Sequence, residues 1–156
     1  AKMIAGVLYT DKGVITVSEN LNPKSDFFYI DSDSNLPKGI SPKSFRDDLD
    51  FEPLTYFDAV VKENDGSSKY KLIVFDNPTA GKSLIDKAAF WNDIKAFVKK
   101  NKNLIVAIVS SDFDEIDSLI NRVVILKDNG EIVDQKAANF KKQKSLKERV
   151  INEITN

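Results

Sequence analysis

Between Asp76 and Ser83 the chain sets a carboxylate, a carboxamide, a glycine, an ammonium and a hydroxyl in the order D-N-P-T-A-G-K-S. Gly81, Lys82 and Ser83 offer what a phosphate needs: a backbone that can come close, a positive charge and a hydroxyl. The spacing G-x-x-x-x-G-K-[ST] combines them in a phosphate-binding loop. Here G-K-S matches its end, while Asp76 stands where the first glycine belongs. A carboxylate there repels phosphate and its Cβ restricts the backbone. Asp76, Asn77, Pro78 and Gly81 read equally well as a turn.

The rest of the chain narrows the chemistry. It holds no cysteine and no histidine among its 156 residues. That removes disulfides, thiolate metal sites and the commonest general base. Lys+Arg number 23 against Asp+Glu 24, a net charge of −1, so no global attraction to nucleic acid or an acidic membrane is expected. Asp31, Ser32, Asp33 and Ser34 could meet a hard cation, but D-S-D-S is first a solvated turn. The tail, 135–156, carries Lys136, Lys141, Lys142, Lys144 and Lys147. Glu148 and Glu153 dilute that charge and no aromatic ladder accompanies it, so it reads as a solvated face. No run approaches the roughly 20 apolar residues of a membrane span, and the first residues do not read as a signal peptide. A soluble, cytoplasmic chain of one domain over 1–156 is the expectation.

The elements that would position these groups follow from periodicity. Leu72–Phe75 is a short apolar run, as in a strand buried on both faces. After the polar loop, Leu84, Ala88 and Trp91 form one apolar row, with Phe90, Ile94 and Phe97 beside it. A helix is predicted over Ser83–Lys100, Trp91 in the core and Lys99, Lys100 and Lys102 at the negative end of its dipole. Strand, loop, helix is one unit of a parallel α/β sheet, whose ligands sit at the carboxyl ends of strands. Phe27–Ile30 and Leu104–Val109 are further strands, the latter buried. Lys2–Val17 reads as a hairpin about T-D-K-G, Asn20–Ser25 as a loop, and Asp65–Ser68 as a turn. Val123–Leu126 and Glu131–Val133 form a hairpin joined by D-N-G. Ser41 before Pro42 is a helix start. From Ser145 on, Leu146, Val150 and Ile154 mark an amphipathic helix.

Leu72–Gly81, L-I-V-F-D-N-P-T-A-G, resembles the segment of ATP-binding-cassette (ABC) ATPases in which an apolar strand runs into D-E-P-T and a small residue. Further stretches are similar to the same family. They are I-A-G with G-x-I-x-V at Ile4–Val17, Leu36–Leu49 as the entry to a helical subdomain, and S-S-D-F-D-E-I followed by N-R-V-V-I-L-K-D-N-G-E-I-V from Ser110. In the I-A-G segment the family is helical where the residues alone suggest a hairpin. The resemblance implies that Asp76 is the metal-side aspartate and that Asn77 stands for the glutamate that polarises water. Asn can orient a water but cannot take its proton. Ser111 stands for the histidine that contacts the γ-phosphate, and Lys82-Ser83 replaces the family's Leu-Asp. The strand after Phe27 gives Asp31–Ser34 in place of a glutamine, and 51–69 carries no L-S-G-G-Q. The family's phosphate loop would fall before Ala1.

The expected fold is therefore α/β: a mainly parallel sheet with flanking helices, like a truncated phosphate-loop NTPase, plus antiparallel hairpins. The implied function is that of a degenerate, non-hydrolysing ABC-type nucleotide-binding domain working through protein partners. Those partners are a transporter's membrane subunit, placing the chain peripherally at a membrane, or an active ATPase subunit; a dimer is compatible. Two alternatives stay open. One is a fragment that binds ATP and Mg²⁺ through Asp76–Ser83, with Asp76, Gly81, Lys82 and Ser83 as ligands. The other is an interaction module indifferent to nucleotide. If Lys2–Tyr9 does not fill the place of the missing strand, another chain does, or a sheet edge stays open.

Overall fold

The run Leu72–Phe75 becomes the middle of a sheet. The computed structural model describes residues 2–6, 8, 11–31, 61–63, 65–110, 113–140 and 145–155. Contacts divide the chain into two units, Ala1–Ser110 and Ser111–Asn156. The fold is mixed α/β, with a three-stranded parallel sheet in the first unit and a two-stranded antiparallel sheet in the second.

In the first unit, helix α1 (Pro23–Asp26) leads into β1 (Phe27–Asp31). Strand β2 (Leu72–Asp76), helix α2 (Leu84–Lys100) and β3 (Ile105–Val109) follow. The order is β1-β2-β3, with Leu72 level with Phe27 on one side and Ile105 on the other. Leu72, Ile73, Val74 and Phe75 are all buried, as expected of a central parallel strand. Alternation sends Leu72 and Val74 to one face, where they pack with Ala5, Phe27, Tyr29 and Ala107. Ile73 and Phe75 go to the other, and Phe75 meets Phe90 of α2 edge to face, ring centroids 5.7 Å apart.

Helix α2 starts where its sequence says. Ser83 is the N-cap, its hydroxyl accepting from the Asp86 N–H at 3.2 Å. Phe90, Trp91, Ile94 and Phe97 are buried. Two residues of the predicted rows are not buried: Leu84 is 81% exposed and Ala88 is exposed as well, as is their neighbour Ile85 at 82%. The apolar stripe begins only in the second turn, where the helix meets the sheet. At the far end, Lys100 Nζ donates to the Asp65 carbonyl and Lys62 lies over the Phe97 ring, 5.6 Å from its centroid. Asp65–Ser68 is a turn as predicted, closed by the Glu63 N–H to the Ser67 carbonyl at 2.8 Å and by a Lys62–Ser68 bridge.

Three expectations fail in this unit. Described residues within Lys2–Val17 form turns and bends, neither the hairpin nor a helix. Gly6 takes φ +72°, its N–H bonded to the Met3 carbonyl, a corner that interrupts either regular structure. Asn20–Ser25 is not all loop, because Asn22 caps α1 with Pro23 in its first turn. Strand β3 is not buried: Ile105 is 56% and Val109 43% exposed, because β3 ends the sheet and lacks a second neighbour among the described residues. The helix start at Ser41-Pro42, Ser32–Ser34, and 51–60 lie outside the described residues.

In the second unit, α3 (Phe113–Ile116) precedes the hairpin of β4 (Arg122–Leu126) and β5 (Ile132–Lys136). The D-N-G turn forms as predicted, Gly130 at φ +84° and the Asn129 side chain accepting from the Glu131 N–H at 2.9 Å. Arg122 grips Asp134 through one guanidinium edge, Nε donating to Oδ1 at 2.7 Å and Nη2 to Oδ2. Helix α4 (Ala137–Phe140) follows, then α5 (Leu146–Thr155). Ser145 and Glu148 cap α5 reciprocally, and Val150 packs on Ile125 with Phe113, Ile120, Val123 and Val133 around them. Ile154, placed on the apolar row by its spacing, is 55% exposed.

Candidate functional site

Asp76 is the last residue of β2, at the carboxyl end of the central strand, where an α/β sheet presents ligand groups. It is half-buried, and the Tyr29 hydroxyl donates to its Oδ2 at 2.8 Å. The register explains the meeting. Tyr29 is level with Val74, so its side chain lies on the same sheet face two residues before Asp76 and reaches along the strand. Asp31 is level with Asp76, which sets two aspartates side by side at this end of the sheet.

Asn77 leaves the strand with φ +46°, the left-handed region that Asn tolerates better than most residues. Its N–H donates to the Val109 carbonyl at 2.8 Å, one rung beyond the end of β2. The loop then closes on itself. Ala80 N–H bonds the Asn77 carbonyl at 3.1 Å and Lys82 N–H the Thr79 carbonyl at 3.2 Å. Pro78 and Thr79 are buried, Thr79 to 3% exposure, while Gly81 turns the chain outward at φ +74° with open space around it. The Ser83 hydroxyl faces the helix, 2.7 Å from Asp86 Oδ2 as well as capping the Asp86 N–H. Lys82 is half-buried between these two turns.

Asp76, Asn77, Gly81, Lys82 and Ser83 thus share one loop, as their spacing implies. Ser111 lies outside the described residues. The amides of Asn77, Ala80, Lys82 and Asp86 are all engaged within the protein. A phosphate-binding loop needs such amides turned toward the ligand. Among the described residues no three acidic, histidine or cysteine side chains gather as metal ligands. Tyr29, the partner of Asp76, escapes a sequence reading because only strand pairing brings it there. The capping role of Ser83 was legible, since S-x-x-D before an apolar run is a helix-start pattern.

Of the tail lysines, Lys136 ends β5 and Lys147 is on α5 beside Glu148; Lys141, Lys142 and Lys144 lie outside the described residues. No described helix is long and apolar enough to cross a membrane. No protein-family model, no curated protein and no solved structure matches the chain.

Proposed function

We propose that the chain is a degenerate, non-hydrolysing nucleotide-binding-domain-like module of the ABC type that works by docking on a protein partner. The observation that carries the reading is the loop after β2. It leaves the carboxyl end of a central parallel strand and enters a capped helix, as D-x-P-T-A-G leads one to expect, yet its groups serve the protein itself. Asp76 takes the Tyr29 hydroxyl, Asn77 spends its amide on Val109, and Ser83 caps α2. A framework of this kind positions a docking surface. Asn77 supplies no general base, and the amides of Asn77, Ala80 and Lys82 are taken up by carbonyls of the protein. The partner in this reading is the membrane subunit of a transporter or an active ATPase subunit, with the chain peripheral at the cytoplasmic side.

Calorimetric titration with ATP and Mg²⁺, read beside a thermal shift and a phosphate-release assay, tests the reading. No turnover and no shift at millimolar ATP are expected. Turnover by the purified chain that disappears in Asp76→Ala would replace this reading with that of a working ATPase fragment. Nucleotide binding without turnover, lost in Lys82→Ala, would keep the module but make ATP its ligand.

A further inference from the structure

The outer edge of β3 has no neighbouring strand among the described residues. Hydrogen bonds run from the Ile105 N–H to the Lys71 carbonyl at 2.9 Å and from the Asn77 N–H to the Val109 carbonyl at 2.8 Å. In a parallel ladder with Leu72 level with Ile105, these bonds fix which residues turn inward. Ile105, Ala107 and Val109 point their backbone groups at β2, so Val106 and Ile108 point theirs outward. No described strand receives them, because the order β1-β2-β3 ends here.

We infer that β3 joins the β3 of a second copy of this chain, antiparallel, about a two-fold axis at Ala107. A two-fold axis at Ala107 accommodates the outward groups. With Ala107 facing its own copy, Val106 stands opposite Ile108 of the second copy. Each such pair exchanges both backbone bonds, so every outward amide and carbonyl of Val106 and Ile108 is satisfied. On the other residues, Ile105 meets Val109 of the second copy, and both are half exposed in the single chain, at 56% and 43%. The small Ala107 lets the strands close at the axis. The stretch 104–110, L-I-V-A-I-V-S, contains no charge, proline or glycine. Those are the devices with which sheet edges normally refuse a neighbour. The other edge is different: β1 ends in Asp31, and pairing about Tyr29 would set that aspartate against Phe27. Six strands in one sheet result, β1-β2-β3 continued by its symmetry mate. This inference is independent of the function proposed above.

Sedimentation equilibrium of the whole chain, from about 1 to 500 µM, covers the affinity range of a small interface. The mass is expected to climb from 17.5 kDa toward twice that value. A mass fixed at 17.5 kDa throughout overturns the inference, as does growth past the dimer, which means open-ended pairing. Val106→Pro deletes one outward amide and no bond to β2, so it is expected to leave a folded monomer; a dimer that survives it overturns the inference. The register is tested by two double variants. Ile105→Lys with Val109→Lys, and Ile105→Glu with Val109→Glu, alter exposed side chains and place like charges opposite each other, so each is expected to be monomeric. Mixed in equal amounts they are expected to form a heterodimer, and failure to do so overturns the two-fold register. Circular dichroism and melting of each variant confirm that the chain is folded when its mass is read. Capture of a heterologous strand peptide by a monomeric wild-type chain counts against the second copy as occupant.

Discussion

Asn77 occupies a position where backbone conformation and chemistry favour different residues. Its φ of +46° suits Asn, Asp or Gly, and the Cβ of other residues is strained there. Asn77→Ala is expected to lower stability by about 1 kcal/mol and Asn77→Gly to leave it nearly unchanged, read from urea midpoints at constant slope. Asn77→Glu, which supplies the carboxylate of the resembling family, is expected to lower stability likewise and to confer no ATP turnover. Two neighbours belong to the same loop. Ser83→Ala removes the cap of α2 at a cost of about 1 kcal/mol, whereas Ser83→Asp retains it. Tyr29→Phe deletes the hydrogen bond to Asp76 and costs about 1 kcal/mol if Asp76 keeps access to water. A much larger loss in Tyr29→Phe would mean that the Asp76 carboxylate is sealed from solvent once the hydroxyl is gone.

At the scale of elements, α2 divides into a free first turn and a packed remainder. Ile94→Ala, at a site 1% exposed, is expected to cost about 2–5 kcal/mol. Leu84→Ala and Ile85→Ala are expected to stay within about 0.5 kcal/mol of the parent. The contrast marks how far local pattern reaches. The run Leu72–Phe75, the cap at Ser83 and the D-N-G hairpin were legible because each depends on neighbours in sequence. The exposure of Leu84 and Ala88 was not, since a stripe is buried only where another element covers it. Likewise an apolar run such as Leu104–Val109 reads the same at the centre of a sheet and at its edge. The short helix at Pro23 follows from Asn22-Pro23 by the same rule that marks Ser41-Pro42 as a helix start. The site was half legible: its residues follow from one loop, its Tyr29 partner only from the pairing of β1 with β2.

Across the whole molecule, acid sensitivity has a contribution from each unit. Asp26 sits below the usual carboxylate value, first through the Asn22 N–H and then through Lys71, 3.0 Å away. Asp134 is lowered by its hydrogen bonds to Arg122 and by that charge. A carboxylate with a depressed folded pKa binds its proton more readily in the unfolded chain. Stability from both is therefore complete above pH 3.8, the ordinary value, and is lost as the pH falls through the lower folded values. Urea midpoints measured downward from pH 5 are expected to drop, and Asp26→Asn with Asp134→Asn to flatten the acid limb. A limb unchanged by the double substitution assigns the acid response to other groups. Both pairs reach solvent, Asp134 more openly than Asp26, so added salt is expected to shallow the same limb. The rung from the Asn77 amide to the Val109 carbonyl has a consequence for dynamics. That amide can exchange its hydrogen with solvent only when the end of β3 parts from the loop. Its exchange rate is thus a clock for fraying of a strand far along the chain, readable at one residue without perturbing either end.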